Sequence, residues 1–164
     1  MSKVLENSYR AMNIAFAVEW SRFAEEAGVD LYSMVDAIRV RSTHANLMYP
    51  GVGVGGYCLT KDPLLASWAR KNHFGSMSDL ELSVSGVSIN DQMPKFAFDR
   101  LIDVFGNLSG KKIAFLGVSY RGDVGDTRFT PVEPLANMIK DAGAYVTFHD
   151  PFVSYWEEQN CNIN

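Results

Sequence analysis

The hydrophobic period of this chain changes once, at Gly106-Asn-Leu-Ser-Gly110, and the change fixes what the residues on either side of it can become. Before it, apolar residues recur at helical spacing. Val4, Leu5, Met12, Phe16, Trp20 and Phe23 mark a first long helix that Gly28 can cap. Leu31, Met34, Val35 and Ile38 follow Asp30, a suitable N-cap, and Leu64, Leu65 and Trp68 follow Asp62 and Pro63, with the proline suited to a first turn. A further helical pattern runs from about Met77 to Phe105, and Pro94 either kinks or splits it. After the change, Lys111-Lys-Ile-Ala-Phe-Leu-Gly117 reads as a buried strand and Thr130-Pro-Val-Glu133 as a capping box. A helix through Leu135, Met138 and Ile139 leads to a second strand, Gly143–Phe148, ending at His149-Asp-Pro151. That is one βαβ unit, too little for a whole doubly wound sheet, and the chain stops where the next helix and strand are expected.

The predicted architecture is therefore a mainly α-helical domain over residues 1–93, followed over 94–164 by a linking helix and a truncated α/β, Rossmann-like domain. The helices of the first part are expected to bury one another. Its first helix carries more aromatic surface than a small helical module can cover alone, which predicts a homodimer.

Bulk properties narrow the function. Fifteen basic against nineteen acidic residues give a net charge of −4 and no electrostatic footprint for nucleic acid. No apolar run reaches the length of a membrane span, and no signal-peptide pattern precedes the first helix. Cys58 and Cys161, the only cysteines, stand in unlike contexts and form neither a disulfide framework nor zinc spacing, so no metal is expected and a cytoplasmic setting fits.

Chemistry concentrates in Gly51-Val-Gly-Val-Gly-Gly-Tyr-Cys-Leu-Thr-Lys-Asp62. Glycines let a backbone approach a ligand, and the stretch ends on a thiol followed at i+4 by Asp62, with Lys61 beside the carboxylate. A helix starting near Cys58 would put thiol and carboxylate on one face, with a helix N-terminus that favours thiolate. The ordinary alternative is a small buried hydrophobe in a surface turn. Lys3 and Asn7, also at i and i+4, share a helical face; alone they read as solvated side chains. His44 and His149 read as surface residues and Cys161 as an incidental tail thiol.

Taken in order, KVLENSYRAMNIAFAVEW, GVGVGGYCLTKDP, INDQMP, LGVSYRGDVGDTRFTP and GAYVTFHDP resemble the nucleotide-sugar 6-dehydrogenases, the UDP-glucose/GDP-mannose dehydrogenase family, over nearly the whole chain. The resemblance implies a central helical dimerisation domain and part of the C-terminal sugar-nucleotide domain. The N-terminal NAD-binding domain, with its water-activating glutamate, is then expected to be absent, leaving an inactive fragment. It implies four-electron oxidation of a sugar C6 alcohol to a carboxylate, with NAD as cofactor and a UDP-sugar or GDP-mannose as substrate. Cys58 matches the nucleophile, Lys3 the oxyanion stabiliser, Asn7 a substrate contact and Asp62 an organiser of water and charge. Leu47, Met48, Tyr49, Pro50, Gly51 and Gly55 would line sugar and phosphate, while Tyr57, Lys61 and Arg128 would face the cofactor. Arg121 falls where the family usually has lysine, keeping the charge but changing the donor geometry. Two other readings stand beside this: a non-catalytic oligomerisation or binding module of the same descent, and a β-hydroxyacid dehydrogenase relative. The latter class needs no thiol.

Overall fold

The computed structural model describes residues 1–163. They form two units: residues 1–51 with 58–90, and residues 52–57 with those from 91 onward.

In the first unit, α1 spans Ser2–Glu26. It ends where Gly28 takes a left-handed φ of 68°, which lets Val29 N–H reach the Ala24 carbonyl at 2.8 Å and Gly28 N–H the Glu25 carbonyl at 3.1 Å. This paired closure is the Schellman arrangement that glycine permits. Helix α1 buries Asn7, Ala11, Ala15, Ala17, Val18 and Ala24. The large apolar residues that mark it in sequence mostly face outward: Leu5, Phe16, Trp20 and Phe23 are exposed, with Trp20 touching both Phe16 and Phe23 ring to ring. Small residues are what a close helix contact selects, so the buried stripe is the alanine row. Helix α2, Leu31–Arg39, starts at Asp30, whose carboxylate accepts from Tyr32 N–H at 3.0 Å.

Helix α3 runs from Tyr57 to Phe74, so Pro63 lies inside it rather than in its first turn, and Leu64, Leu65 and Trp68 are exposed. The helix is nucleated before the proline, which removes one internal hydrogen bond. From α3, the Ser67 hydroxyl donates to Asp79 at 2.6 Å and accepts from Leu80 N–H at 3.0 Å. These bonds lead the chain into α4, Glu81–Asp91. Within the unit, α4 meets α1 at Gly86, where an added Cβ would lie 3.2 Å from Met12 Cα, and at Asn90, whose amide donates to the Ala11 carbonyl at 3.0 Å.

The helical pattern from Met77 to Phe105 resolves into α4 and α5, Met93–Phe105, with Pro94 in the first turn of the latter. A first turn needs no N–H from that residue, so proline starts a new helix there. In the second unit, strands β1 (Lys112–Leu116) and β2 (Tyr145–His149) pair in parallel, Lys112 opposite Tyr145 and Leu116 opposite His149. Helix α6, Val132–Asp141, connects them. One sheet face is covered: Ile113, Phe115 and Val146 pack with α5 and α6 around Leu108, Leu135, Ile139 and Ala144. Contrary to the buried strand expected, β1 alternates, leaving Ala114 and Leu116 exposed. The capping box is also unmet. Helix α6 begins one residue after Pro131, and Thr130 Oγ1 takes only a long 3.4 Å bond from Val132 N–H. Short strands β3 (Tyr155–Trp156) and β4 (Cys161–Asn162) pair antiparallel beside a second cluster of Val118, Val153, Trp156 and Ile163. Mainly helical with few strands, the chain has no described helix long and apolar enough to cross a membrane.

Asp150 closes the strand ends. Its buried carboxylate accepts from Val118 N–H at 2.9 Å, Ser119 N–H at 3.1 Å and Phe152 N–H at 2.9 Å. Burial pushes its pKa up, but the backbone donors outweigh this and hold it below the ordinary aspartate value. Asp150→Ala is expected to destabilise the chain by about 1–3 kcal/mol at neutral pH. A depressed folded-state pKa gives stability that is full above the unfolded value of about 3.9 and lost as pH falls through the folded value. The gap in urea midpoint between wild type and variant should therefore narrow as pH falls below the unfolded value of about 3.9. A gap that stays constant on acidification would contradict this account.

Candidate active site

Asp62 is 6% exposed by side chain, and a buried carboxylate needs partners. Asn7 supplies the main one: its Nδ2 donates to Oδ2 at 2.7 Å, with both residues buried. Lys3 Nζ lies 4.0 Å from the same oxygen, its side chain 72% exposed, so it adds a solvent-screened cation rather than a tight pair. Lys3 and Asn7 are successive turns of one α1 face, and Asp62 is one turn after Cys58 on α3, whose second residue is the half-buried thiol. The unit thus brings Lys3, Asn7 and Asp62 into direct contact, with Cys58 one helical turn from the carboxylate.

The segment Leu47–Gly51 belongs to the same unit and is tied down from two sides. From α1, the Asn13 amide donates to the Asn46 carbonyl at 3.3 Å and its oxygen accepts from Met48 N–H at 3.5 Å, while Asn46 donates to the Tyr9 hydroxyl at 2.6 Å. From α2, the Tyr32 hydroxyl donates to the Pro50 carbonyl at 3.0 Å and its ring stacks on Tyr49 with centroids 5.7 Å apart. The Tyr49 hydroxyl donates to Asp36, and the Arg39 guanidinium lies 4.8 Å from the Tyr49 ring centre. The hydrogen bond to Asp36, followed by burial, pushes the Tyr49 pKa up. Tyr49 is therefore committed to α2. Leu47, Met48 and Pro50 are half-buried and Gly51 is exposed. Lys61 is exposed on α3.

The remaining candidates lie in the second unit. Gly55 and Gly56 pack under Tyr120: a Cβ at Gly55 would stand 2.3 Å from Tyr120 Cβ and 2.8 Å from the Phe129 carbonyl oxygen. Gly56 N–H donates to the Arg128 carbonyl at 2.9 Å. Tyr57 meets the edge of Phe129 at 4.8 Å between centroids, and the Arg128 guanidinium sits 5.0 Å from the Tyr57 ring centre. Arg128 is itself forked onto Asp126, at 2.8 Å from Nε and 2.6 Å from Nη2. The fork lowers Asp126 to a pKa of about 2 and raises Arg128 further. Phe129 holds a left-handed φ of 53°, a conformation uncommon for a bulky residue. Arg121 is exposed. Among the described residues, no three His, Cys, Asp or Glu side chains form a group that could hold a metal ion.

Residues 1–92 match the UDP-glucose/GDP-mannose dehydrogenase family, central domain, and residues 114–163 match the UDP binding domain of that family. The chain belongs to the UDP-glucose/GDP-mannose dehydrogenase family. Among its relatives, the UDP-N-acetyl-D-mannosamine dehydrogenase of Methanococcus maripaludis is 34% identical over 96% of this chain and 35% of its own length. The enzyme of the same name from Pyrococcus horikoshii is 35% identical over 93% of this chain and 36% of its own. A crystal structure of NDP-N-acetyl-D-galactosaminuronic acid dehydrogenase from Methanosarcina mazei Go1 superposes with a TM-score of 0.85 at 30% identity, covering 99% of this chain and 36% of that one. The chain thus spans about a third of the length of the relatives it matches.

Within this family member, several residues that hold candidate positions are not themselves marked as site residues by the sequence. Tyr32, Asp36 and Arg39 fix Tyr49, Asn13 fixes Met48, and Tyr120 with Phe129 holds the glycine pair. Asn13, Tyr120 and Phe129 fall inside the stretches that carry the family resemblance, whereas Tyr32, Asp36 and Arg39 show only polar and aromatic side chains on a helix, a signal shared by many surface residues. Gly55→Ala is expected to destabilise the chain by about 1–3 kcal/mol, because Tyr120 Cβ and the Phe129 carbonyl are backbone-rooted and cannot yield cheaply. Gly122→Ala, which meets open space, is the neutral control. Equal urea midpoints for the two variants would refute the steric argument.

Proposed function

We propose that this chain carries the thiol-bearing and sugar-nucleotide-binding parts of an NAD-dependent nucleotide-sugar 6-dehydrogenase, with a UDP-sugar as substrate. The observation that carries the reading is the buried Asp62 carboxylate, joined to Asn7 and Lys3 one helical turn from Cys58. The reaction takes the sugar C6 alcohol through an aldehyde to a carboxylate, releasing four electrons as two hydrides. Cys58 adds to the aldehyde carbon, forming an S–C bond and a thiohemiacetal; loss of the second hydride gives a thioester, which water cleaves to free the carboxylate and restore the thiol. Lys3, largely exposed and held only at 4.0 Å from Asp62, stabilises the oxyanion that develops at C6. Asn7 holds Asp62 and contacts the substrate, and Asp62 orders water and balances the Lys3 charge. In the first unit the backbone of Leu47 to Gly51 is the sugar-nucleotide contact, with Tyr49 acting as an anchor; in the second unit, taken by itself, Gly55 is a backbone contact and Arg121 offers a guanidinium to a phosphate.

NAD, general to the family, accepts the hydrides when bound. Among the described residues the fit to a whole dinucleotide is poor. Asp150, at the strand end where a dinucleotide-binding unit would use an acid on a ribose, is committed to the Val118 and Ser119 N–H groups, and Arg128 is committed to Asp126. Tyr57 and Arg128 of the second unit, and Lys61 of the first, each taken by itself, would make only partial contacts to the cofactor, and the chain alone is proposed to be inactive.

The chain by itself, mixed with NAD and UDP-N-acetyl-D-mannosamine, is expected to form no NADH. Grafted in place of the corresponding third of the Methanococcus maripaludis relative, it should restore oxidation to the acid, and Cys58→Ser in the graft should lower that rate by about a thousandfold or more. An undiminished rate in Cys58→Ser would defeat the covalent route and favour single-step alcohol oxidation. A graft that folds but turns over no nucleotide sugar would favour a non-catalytic module.

The outward row Leu5, Tyr9, Phe16, Trp20 and Phe23 supports a second part of the proposal, a homodimer through α1. Sedimentation at micromolar concentration should show a dimer that Trp20→Asp converts to monomer. A wild-type chain that is only monomeric would sink it.

A further inference from the structure

Asn90 is 2% exposed near the end of α4, and only half of its amide is satisfied. Its Nδ2 donates to the Ala11 carbonyl at 3.0 Å, and its Oδ1 is buried with no partner. A buried acceptor without a donor is a stability cost, and an apolar side chain of similar size would avoid it. What the amide adds is direction. Packing of smooth apolar surfaces tolerates sliding, whereas a hydrogen bond to one carbonyl selects one register.

The carbonyl it selects is informative. Lys3, Asn7 and Ala11 are successive positions of one α1 row, each a turn apart. Asp62 of α3 holds the first two, and Asn90 of α4 holds the third. Beside this bond Gly86 lets α4 approach α1, with 3.2 Å between its missing Cβ and Met12 Cα. We propose that Asn90 is a positioning residue: gripping α1 at Ala11, it sets the register and height at which Asn7 and Lys3 present themselves to Asp62. The inference rests on reading Lys3, Asn7, Cys58 and Asp62 as one set, but its test needs no turnover.

The test measures two properties of this chain in wild type, Asn90→Leu and Asn90→Ala. One is the thermal midpoint. The other is hydrogen exchange of the Asn7 side-chain amide by ¹⁵N NMR, assigned with Asn7→Asp, which reports the bond to Asp62. Asn90→Leu, which removes the unmet acceptor, is expected to melt within a few degrees of wild type yet exchange the Asn7 amide about tenfold faster, the equivalent of one neutral hydrogen bond. Asn90→Ala, the smaller change, keeps the test decisive if leucine is not accommodated, and it should show the same exchange. Asn7 protection that stays at the wild-type value in either folded variant overturns the proposal and leaves Asn90 a packing residue. Accelerated exchange in a chain whose Cys58→Ser graft shows no catalytic defect would uphold the register and refute the catalytic reading.

Discussion

A carboxylate taken out of water must be met by donors, and in the first unit Asp62 is where the chain accepts that constraint. Its tight donor is neutral, the Asn7 amide at 2.7 Å, while the cation at Lys3 stands off at 4.0 Å with most of its side chain in solvent. A direct buried ion pair would hold the lysine fixed and neutralised. The looser arrangement holds the carboxylate with the amide and leaves the lysine free to respond to another negative charge. This carboxylate ties helix α3 to α1, and Cys58 stands one turn earlier on the same helix.

The same constraint explains the unusual division of α1. Bringing Asn7 within hydrogen-bond distance of a buried group requires close helix approach; the buried row of α1 has small residues at Ala11 and Ala15, and Gly86 of α4 comes close to the α1 backbone at Met12. Bulky apolar residues on that row would hold the helices apart. They occur instead on the outer face, where Phe16, Trp20 and Phe23 pack on one another and remain largely solvent-facing. Helix α1 is therefore apolar on two faces for two different reasons.

Helical periodicity alone does not separate those reasons, which is why the sequence locates α1, its glycine cap and its excess of aromatic surface but does not single out the alanine row as its inner face. Elements with local causes are legible: Asp30 as the α2 cap, the break before Pro94, the two strands and the helix between them. Signals with tertiary causes mislead. Pro63 looks like a first-turn proline because nothing local reveals that α3 has already begun at Tyr57, and Thr130 has the spacing of a cap without making a good bond. For the candidate site, the i, i+4 pairs Lys3/Asn7 and Cys58/Asp62 are visible as spacing. That Asp62 is buried against Asn7, and that Asn90 grips the next turn, depends on contacts between residues 55 and 79 positions apart.

The glycine-rich stretch changes meaning in the same way. Glycine density suggests backbone exposed to a ligand, yet the space at Gly55 and on one side of Gly56 is filled by Tyr120, and Gly56 N–H is bound to the Arg128 carbonyl. Only part of the stretch uses glycine for its dihedral freedom, as at Gly53 with φ 140° and Gly56 with φ 76°. At Gly55 the requirement is room for an aromatic residue of the same unit. Anything that approaches Gly55 must therefore come from the side Tyr120 leaves open, so the aromatic ring, absent from any reading of the loop alone, limits which backbone groups of the stretch are accessible.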